Sequence, residues 1–109
     1  MANTFVRYQS RNVGTSLTKI GAHTVLAATN EIVIGLVVTN QSGADITYDL
    51  TINDGANDFY LAKGATLVAG GSQAVFGKNK QVLTTGDSIQ VKGSTGTGID
   101  ATLSVLAVT

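Results

Sequence analysis

The sequence predicts an all-β fold, a two-sheet antiparallel β-sandwich of the jelly-roll or Ig-like kind with about seven or eight strands. Three observations lead to this prediction. Thirteen glycines and no proline accompany frequent valine and threonine, a composition that suits pleated strands joined by tight turns. Apolar and polar residues alternate in several segments, whereas no segment keeps a helical period. Turn signals recur about every eight to twelve residues, the spacing typical of sandwiches and barrels.

The length and charge of the chain limit its organisation and its partners. A chain of 109 residues with 43 % hydrophobic residues can bury one core, so we expect a single domain. Residues 1–11 are expected to form an N-terminal arm or a first strand, and residues 12–109 the sandwich. Seven basic residues balance seven acidic ones. A neutral surface exerts no long-range attraction on nucleic acid or anionic membranes, so neither is expected as a partner.

The expected strands lie between the turn signals. They cover residues 4–9, 16–25, 31–39, 46–53, 58–63, 72–76, 80–84, 88–92 and 99–108. The strand at 46–53 alternates most regularly, and we expect its polar residues Thr47, Asp49 and Thr51 on the outer face. The turn at 41–45 is expected to join the strands at 31–39 and 46–53 as a hairpin in the centre of the sandwich.

Two segments are apolar on both faces. The run from Ile32 to Val38 predicts a central strand that is covered on each side. The cover is either the rest of the same domain, as for an ordinary core strand, or another chain on one face. The residues from Leu106 to Val108 also lose their alternation, so we expect both of their faces to be covered, by the other sheet or by a neighbouring subunit.

Few residues are suited to chemistry. The chain has no cysteine and a single histidine, His23, which excludes a thiolate nucleophile and the usual zinc sites. We therefore expect no enzyme activity, metal or cofactor, and a structural His23 at the surface or partly buried. The loop from Asp54 to Asp58 has oxygen ligands but lacks the spacing and bidentate glutamate of known calcium loops, so a hairpin turn is favoured. Lys78 and Lys80 are expected in a solvated turn.

Short motifs follow one another along the whole chain, and their order and spacing resemble those of small β-rich virion structural proteins of tailed bacteriophages. The motifs are Phe5-Val-Arg-Tyr, Asn12-Val-Gly-Thr-Ser, Val33-Ile-Gly-Leu, Thr39-Asn-Gln-Ser-Gly, Asp58-Phe-Tyr-Leu-Ala-Lys-Gly, Leu67-Val-Ala-Gly-Gly-Ser and Lys80-Gln-Val-Leu-Thr-Thr-Gly-Asp-Ser-Ile-Gln-Val. The resemblance implies a non-enzymatic protein that works in many copies. It also implies synthesis in a host cytoplasm and a final location in the virion.

Within a virion, the role we expect first is that of a capsid decoration, or cement, protein that braces the major capsid lattice. It would act as a homo-oligomer, with a trimer favoured, and bind the major capsid protein or another virion protein. The alternatives are a neck, tail or baseplate component and a module that binds a host glycan or receptor. The residues expected at the partner interface are Phe5, Arg7, Tyr8, Arg11, Leu106 and Val108.

Overall fold

The computed structural model describes residues 3–75, 81–94, 96 and 98–109 and confirms the predicted antiparallel two-sheet sandwich. The described residues form nine strands, where about seven or eight were expected. Three of the nine are only two or three residues long. The strands are β1 (Asn3–Val13), β2 (Thr18–Lys19), β3 (Asn30–Asn40), β4 (Ile46–Asn53), β5 (Asp58–Leu67), β6 (Ser72–Ala74), β7 (Gln81–Leu83), β8 (Ser88–Gly93) and β9 (Ile99–Val108).

The strands are divided between a five-stranded and a four-stranded sheet. The first has the order β1-β9-β3-β6, with β7 also paired to β3, and the second has the order β2-β8-β4-β5. The core between them consists of inward-facing aliphatic residues such as Val33, Leu50, Val91 and Leu103, which are at most 1 % exposed. Full burial of one such side chain contributes about 1.5–3 kcal/mol to folding, so these residues hold the two sheets together.

The strands with clear alternation were predicted well. Strands β4 and β9 begin and end at the predicted residues, and the alternating apolar residues Ile99, Ala101, Leu103 and Val105 of β9 are all buried. In β4, Thr51 is fully buried although an exposed position was expected. Tyr60 and Gln90 stand beside it in the flanking strands, and its hydroxyl hydrogen-bonds the Gln90 side chain at 3.2 Å. Cross-strand neighbours therefore bury this hydroxyl.

The predicted strand at 16–25 is largely wrong. Only Thr18–Lys19 pairs with β8, and the next three residues, Ile20–Ala22, form a short 3₁₀ turn. Gly21 and Ala22 have φ values of +65° and +54°, in the left-handed region that interrupts an extended strand. The chain turns here, and His23, which follows the turn, packs against Tyr8 of β1.

The predicted hairpin between 31–39 and 46–53 is also wrong, because β3 and β4 belong to different sheets. The side chain of Asn40, which is fully buried, organises the connection. Its amide nitrogen donates to the carbonyl oxygens of Ala44 and Leu67 at 2.8 and 2.9 Å. Its oxygen accepts hydrogen bonds from the backbone N–H and hydroxyl of Ser42. These bonds turn the chain from one sheet to the other.

Strand β3 is central, as predicted, but the chain itself covers only one of its faces. Val33, Leu36 and Val38 are buried in the core, whereas Ile34 and Val37 remain 41 % and 42 % exposed. The expectation of full cover by the same domain is therefore wrong for this strand. Cover by another chain stays a prediction.

The N-terminal segment is the first strand of the five-stranded sheet. Antiparallel pairing joins β1 to β9 from Asn3 opposite Val108 to Val13 opposite Ile99, with a bulge between Ser10 and Val13. The inward-facing residues of β1 pack against the core of the same chain. Residues 3–11 therefore belong to the sandwich.

Candidate functional site

A row of apolar residues crosses the outer face of the five-stranded sheet. Phe5 of β1 lies opposite Leu106 of β9, Leu106 lies opposite Ile32 of β3, and Ile32 lies opposite Val82 of β7. Residues directly opposite each other in antiparallel strands share a face, so these four side chains form one continuous row. Phe5 is 76 % exposed and Val82 is 61 % exposed, so the two ends of the row are open to solvent.

Further apolar residues of β3 extend this row along the sheet. A bulge between Val33 and Gly35 places Ile34 as an extra residue on the solvent side of the strand. Val37 follows two rows further on, opposite Thr102 and Ala74. The two exposed aliphatic side chains continue the apolar area from the row toward the middle of the sheet. We call the outward-facing side of β1, β9, β3, β6 and β7 the outer apolar face.

The opposite end of this face is polar. Gln9 and Arg11 of β1 and Asp100 and Thr102 of β9 line a cavity of about 360 Å³ beside the β1 bulge. The Asp100 carboxylate accepts hydrogen bonds from the backbone N–H of Asn12 and from the Gln41 side chain, at 3.0 and 3.1 Å. These bonds fix the Asp100 carboxylate in place. The outer apolar face therefore has an apolar end and a polar end with charges of both signs.

The structure places five of the six residues predicted for the partner interface on one side of the five-stranded sheet, with Arg11 at the polar end of that side. Phe5, Arg7, Arg11, Leu106 and Val108 lie on adjoining strands and share the outer side of the sheet. Ile32, Ile34, Val37 and Val82 belong to the same face but were not predicted individually. For Ile32, Ile34 and Val37, the signal in the sequence was the apolar character of both faces of the 32–38 run.

Tyr8, the sixth predicted interface residue, faces the interior. Its ring stacks on His23 with the centroids 3.8 Å apart and the planes inclined by 10°. Nε2 of His23 lies 2.7 Å from Oε2 of Glu31, whose side chain is buried, as is most of the imidazole. His23 is therefore partly buried, one of the two placements expected for it, and Glu31 is a buried acidic residue that the sequence pattern did not single out.

The loop between β4 and β5 is a hairpin turn, as favoured from its sequence. The Asp54 carboxylate accepts hydrogen bonds from the backbone N–H groups of Ala56 and Asn57 at 3.0 and 2.8 Å, and Asn53 donates to Asp58 at 2.7 Å. The Asn57 and Ala56 hydrogen bonds lower the pKa of Asp54 below its ordinary value of 3.8. Among the described residues, no group of three or more acidic or histidine side chains is placed to hold a metal ion. Lys78 and Lys80 lie outside the described residues.

The four-stranded sheet differs from the outer apolar face in having a charged pair on its outer side, although its edge strand β5 also has two exposed aromatic residues, Phe59 and Tyr60. Asp49 of β4 and Lys92 of β8 are opposite each other there, with 3.6 Å between carboxylate and ammonium. On β5, the Lys63 ammonium lies 4.3 Å from the centre of the Tyr60 ring, so one side of this exposed aromatic ring is occupied by a cation. This sheet therefore presents charged and hydrogen-bonding groups.

No protein-family model matches the chain, and no curated protein sequence matches it. No helix within the described ranges has the length and apolar character needed to cross a membrane.

Proposed function

We propose that this chain is a structural virion protein of a tailed bacteriophage, and that it acts as a capsid decoration protein. The observation that carries the proposal is the uncovered apolar row from Phe5 to Val82 on a rigid sheet. An exposed apolar area of this kind on a soluble domain is typical of a surface that binds another protein. The resemblance of the motifs supports the virion as the place where that protein is found.

The proposed mechanism requires surface area and stiffness and assigns no chemical reaction to the chain. Each contact contributes through buried apolar area, at about 25 cal/mol per Å². The sandwich holds the backbone of Phe5, Leu106, Ile32 and Val82 in register, so the row is formed before it is covered and the backbone pays little ordering cost. Many weak contacts of this type, repeated over a capsid lattice, brace the lattice through multivalency.

A neck, tail or baseplate component would use the same face in a ring, so the two roles differ in copy number. Quantitative mass spectrometry of purified particles tests the proposal. A decoration protein is expected at a copy number comparable with that of the major capsid protein. A copy number that corresponds to a single ring of subunits per particle would contradict the decoration role and favour the neck, tail or baseplate role.

Binding of a host glycan is a second alternative, which the isolated protein can test. Sugar-binding sites stack an exposed aromatic ring on the sugar, whereas Lys63 already lies over the exposed Tyr60 ring. We therefore expect the isolated protein to bind no sugar on a broad glycan array. Saturable binding that is lost in Tyr60→Ala would favour the receptor-binding role over decoration.

A further inference from the structure

We propose that the outer apolar face of one chain is covered by the same face of a second copy, in a two-fold symmetric dimer. The inference rests on the function proposed above and deepens it, because the contacts through this face that brace the lattice would then join two copies of the chain. It also replaces the trimer expected from the resemblance with a dimer.

The choice of a second copy follows from the character of the two sheets. An apolar row is covered most favourably by another apolar surface, since polar groups buried against it would lose their hydrogen bonds to water. Of the two outer sheet faces in the described residues, the four-stranded one presents the Asp49–Lys92 pair and the five-stranded one presents the apolar row. In a pair of identical chains, the outer apolar face of one copy therefore packs against the same face of the other copy. Such a contact has two-fold symmetry.

The surface shape of the outer apolar face allows it to pack against another sheet. Sheets that pack face to face lie about 10 Å apart and interdigitate their side chains. The row next to the apolar row has Arg7 of β1 opposite Ser104 of β9, and Ser104 opposite Gly35 of β3. Ser104 and Gly35 fill little space. Large side chains therefore border a shallow depression that can receive the large side chains of the second copy.

The size of the face is sufficient for a specific contact. With about 4.8 Å between strands and about 3.3 Å per residue, four strands from Asp100 to Val108 span roughly 19 by 30 Å, or roughly 600 Å² per copy. Specific protein interfaces bury about 600–1,000 Å² on each partner. The face therefore falls at the lower end of this range, which favours a reversible dimer.

The charges of the face are few. Arg7 lies beside the apolar row, and Arg11 lies next to Asp100 at the polar end. These three residues leave one excess positive charge and the whole chain has zero net charge, so salt at physiological concentration screens most of the repulsion between two copies.

Sedimentation velocity of the purified full chain over a wide concentration range tests the dimer. We expect a monomer–dimer equilibrium in the wild type and at least a tenfold higher dissociation constant in Phe5→Asp and in Val82→Asp. Phe59→Asp is the matched control, because Phe59 is 55 % exposed on β5 of the other sheet. Its dissociation constant should stay at the wild-type value. Circular dichroism verifies that each variant is folded, as expected for substitutions at exposed positions.

Each other result has a defined meaning. A wild-type chain that stays monomeric at every concentration, a trimer, or an equal effect of Phe59→Asp would overturn the proposed dimer. If the wild type is monomeric and Phe5→Asp is nevertheless lost from purified particles, another virion protein covers the face and the proposed function survives. If the wild type dimerises through this face but the chain is absent from particles, the dimer survives and the proposed function fails.

Discussion

Glu31 and His23 form a buried pair in which Nε2 of the imidazole lies 2.7 Å from Oε2 of the carboxylate. Oε1 of the same carboxylate is shielded from solvent and has no hydrogen-bond partner among the described residues. The Tyr8 ring stacks on the face of the imidazole. One cluster thus joins β1, the segment after the 3₁₀ turn and β3.

Removing the imidazole should expose the energetic role of this pair. His23→Phe keeps a ring next to Tyr8 but leaves the buried Glu31 carboxylate without a partner. We expect the free energy of unfolding to fall by about 1–3 kcal/mol or more, the cost of leaving a buried hydrogen-bonding group without its partner. The double variant His23→Phe/Glu31→Leu should recover most of this loss, as measured by urea denaturation. Equal losses in both variants would show that the unpaired carboxylate is not the cause.

The titration of Tyr8 should report on the same carboxylate. Burial raises the pKa of Tyr8 above its ordinary value of 10.0, and the negative charge of Glu31 raises it further. In Glu31→Gln we expect a Tyr8 pKa that is lower than in the wild type but still above 10.0, because burial is the larger cause. Carbon-13 NMR of the tyrosine Cζ atoms measures this pKa directly. An unchanged Tyr8 pKa in Glu31→Gln would contradict the contribution of Glu31.

The raised pKa of Tyr8 also determines the sign of its effect on stability. The neutral phenol is favoured in the folded chain, so its contribution is fully present below the unfolded value near 10.0. It is lost as the pH rises through 10.0 and the folded pKa. Tyr8→Phe should therefore show a shallower alkaline loss of stability than the wild type in urea denaturation at increasing pH.

The side chain of Asn40 should be essential to the crossing between the sheets. Asn40→Ala leaves the carbonyl oxygens of Ala44 and Leu67 without their donor, at about 1–3 kcal/mol for each group that stays buried. Asn40→Asp should be more harmful, since it points an acceptor at two acceptors. Asn30→Ala, at the exposed opposite end of β3, is the control and should change the free energy of unfolding by less than about 0.5 kcal/mol. Thermal and urea unfolding measure all three variants.

Gly21 and Gly64 have nearly the same φ, so replacing each with alanine distinguishes backbone strain from steric crowding. Their φ values are +65° and +63°. A Cβ at Gly21 would lie 2.8 Å from Cβ of Tyr8, whereas a Cβ at Gly64 would have no neighbour within 4 Å. Gly64→Ala should lower the free energy of unfolding by about 1–2 kcal/mol through backbone strain. Gly21→Ala should lower it by a further 1 kcal/mol or more, about the cost of overpacking. Equal losses would mean that β1 moves freely away from the turn.

Local patterns predicted the strands that alternate and failed where contacts are distant in sequence. Strands β4 and β9 were placed to the residue because the face toward the core is apolar along their whole length. The segment at 16–25 has strand-forming residues, but the turn at Gly21 and Ala22 interrupts it. The 41–45 segment has the composition of a hairpin turn, and only the buried side chain of Asn40 shows that it crosses between the sheets.

The candidate site could be predicted in part for the same reason. The two apolar faces of the 32–38 run indicated that the sheet offers a second surface for contact. That Phe5, Leu106, Ile32 and Val82 form one row depends on strand order and register, which the sequence pattern does not provide. The pairing of His23 with Glu31 depends on the path of the chain through the 3₁₀ turn, for which no local pattern gives a signal.

The position of β9 between β1 and β3 has a consequence for how fast this protein reaches its native state. Asn3 and Asn30 both pair with Val108, so the five-stranded sheet cannot close until the most distant strand has been incorporated. Folds dominated by such non-local pairings refold in about milliseconds to seconds. Until β9 arrives, β3 has an open edge and apolar residues on both sides, which is the kind of species that aggregates. The yield of soluble protein should therefore depend on dilution and temperature during refolding more than on the stability of the finished sandwich.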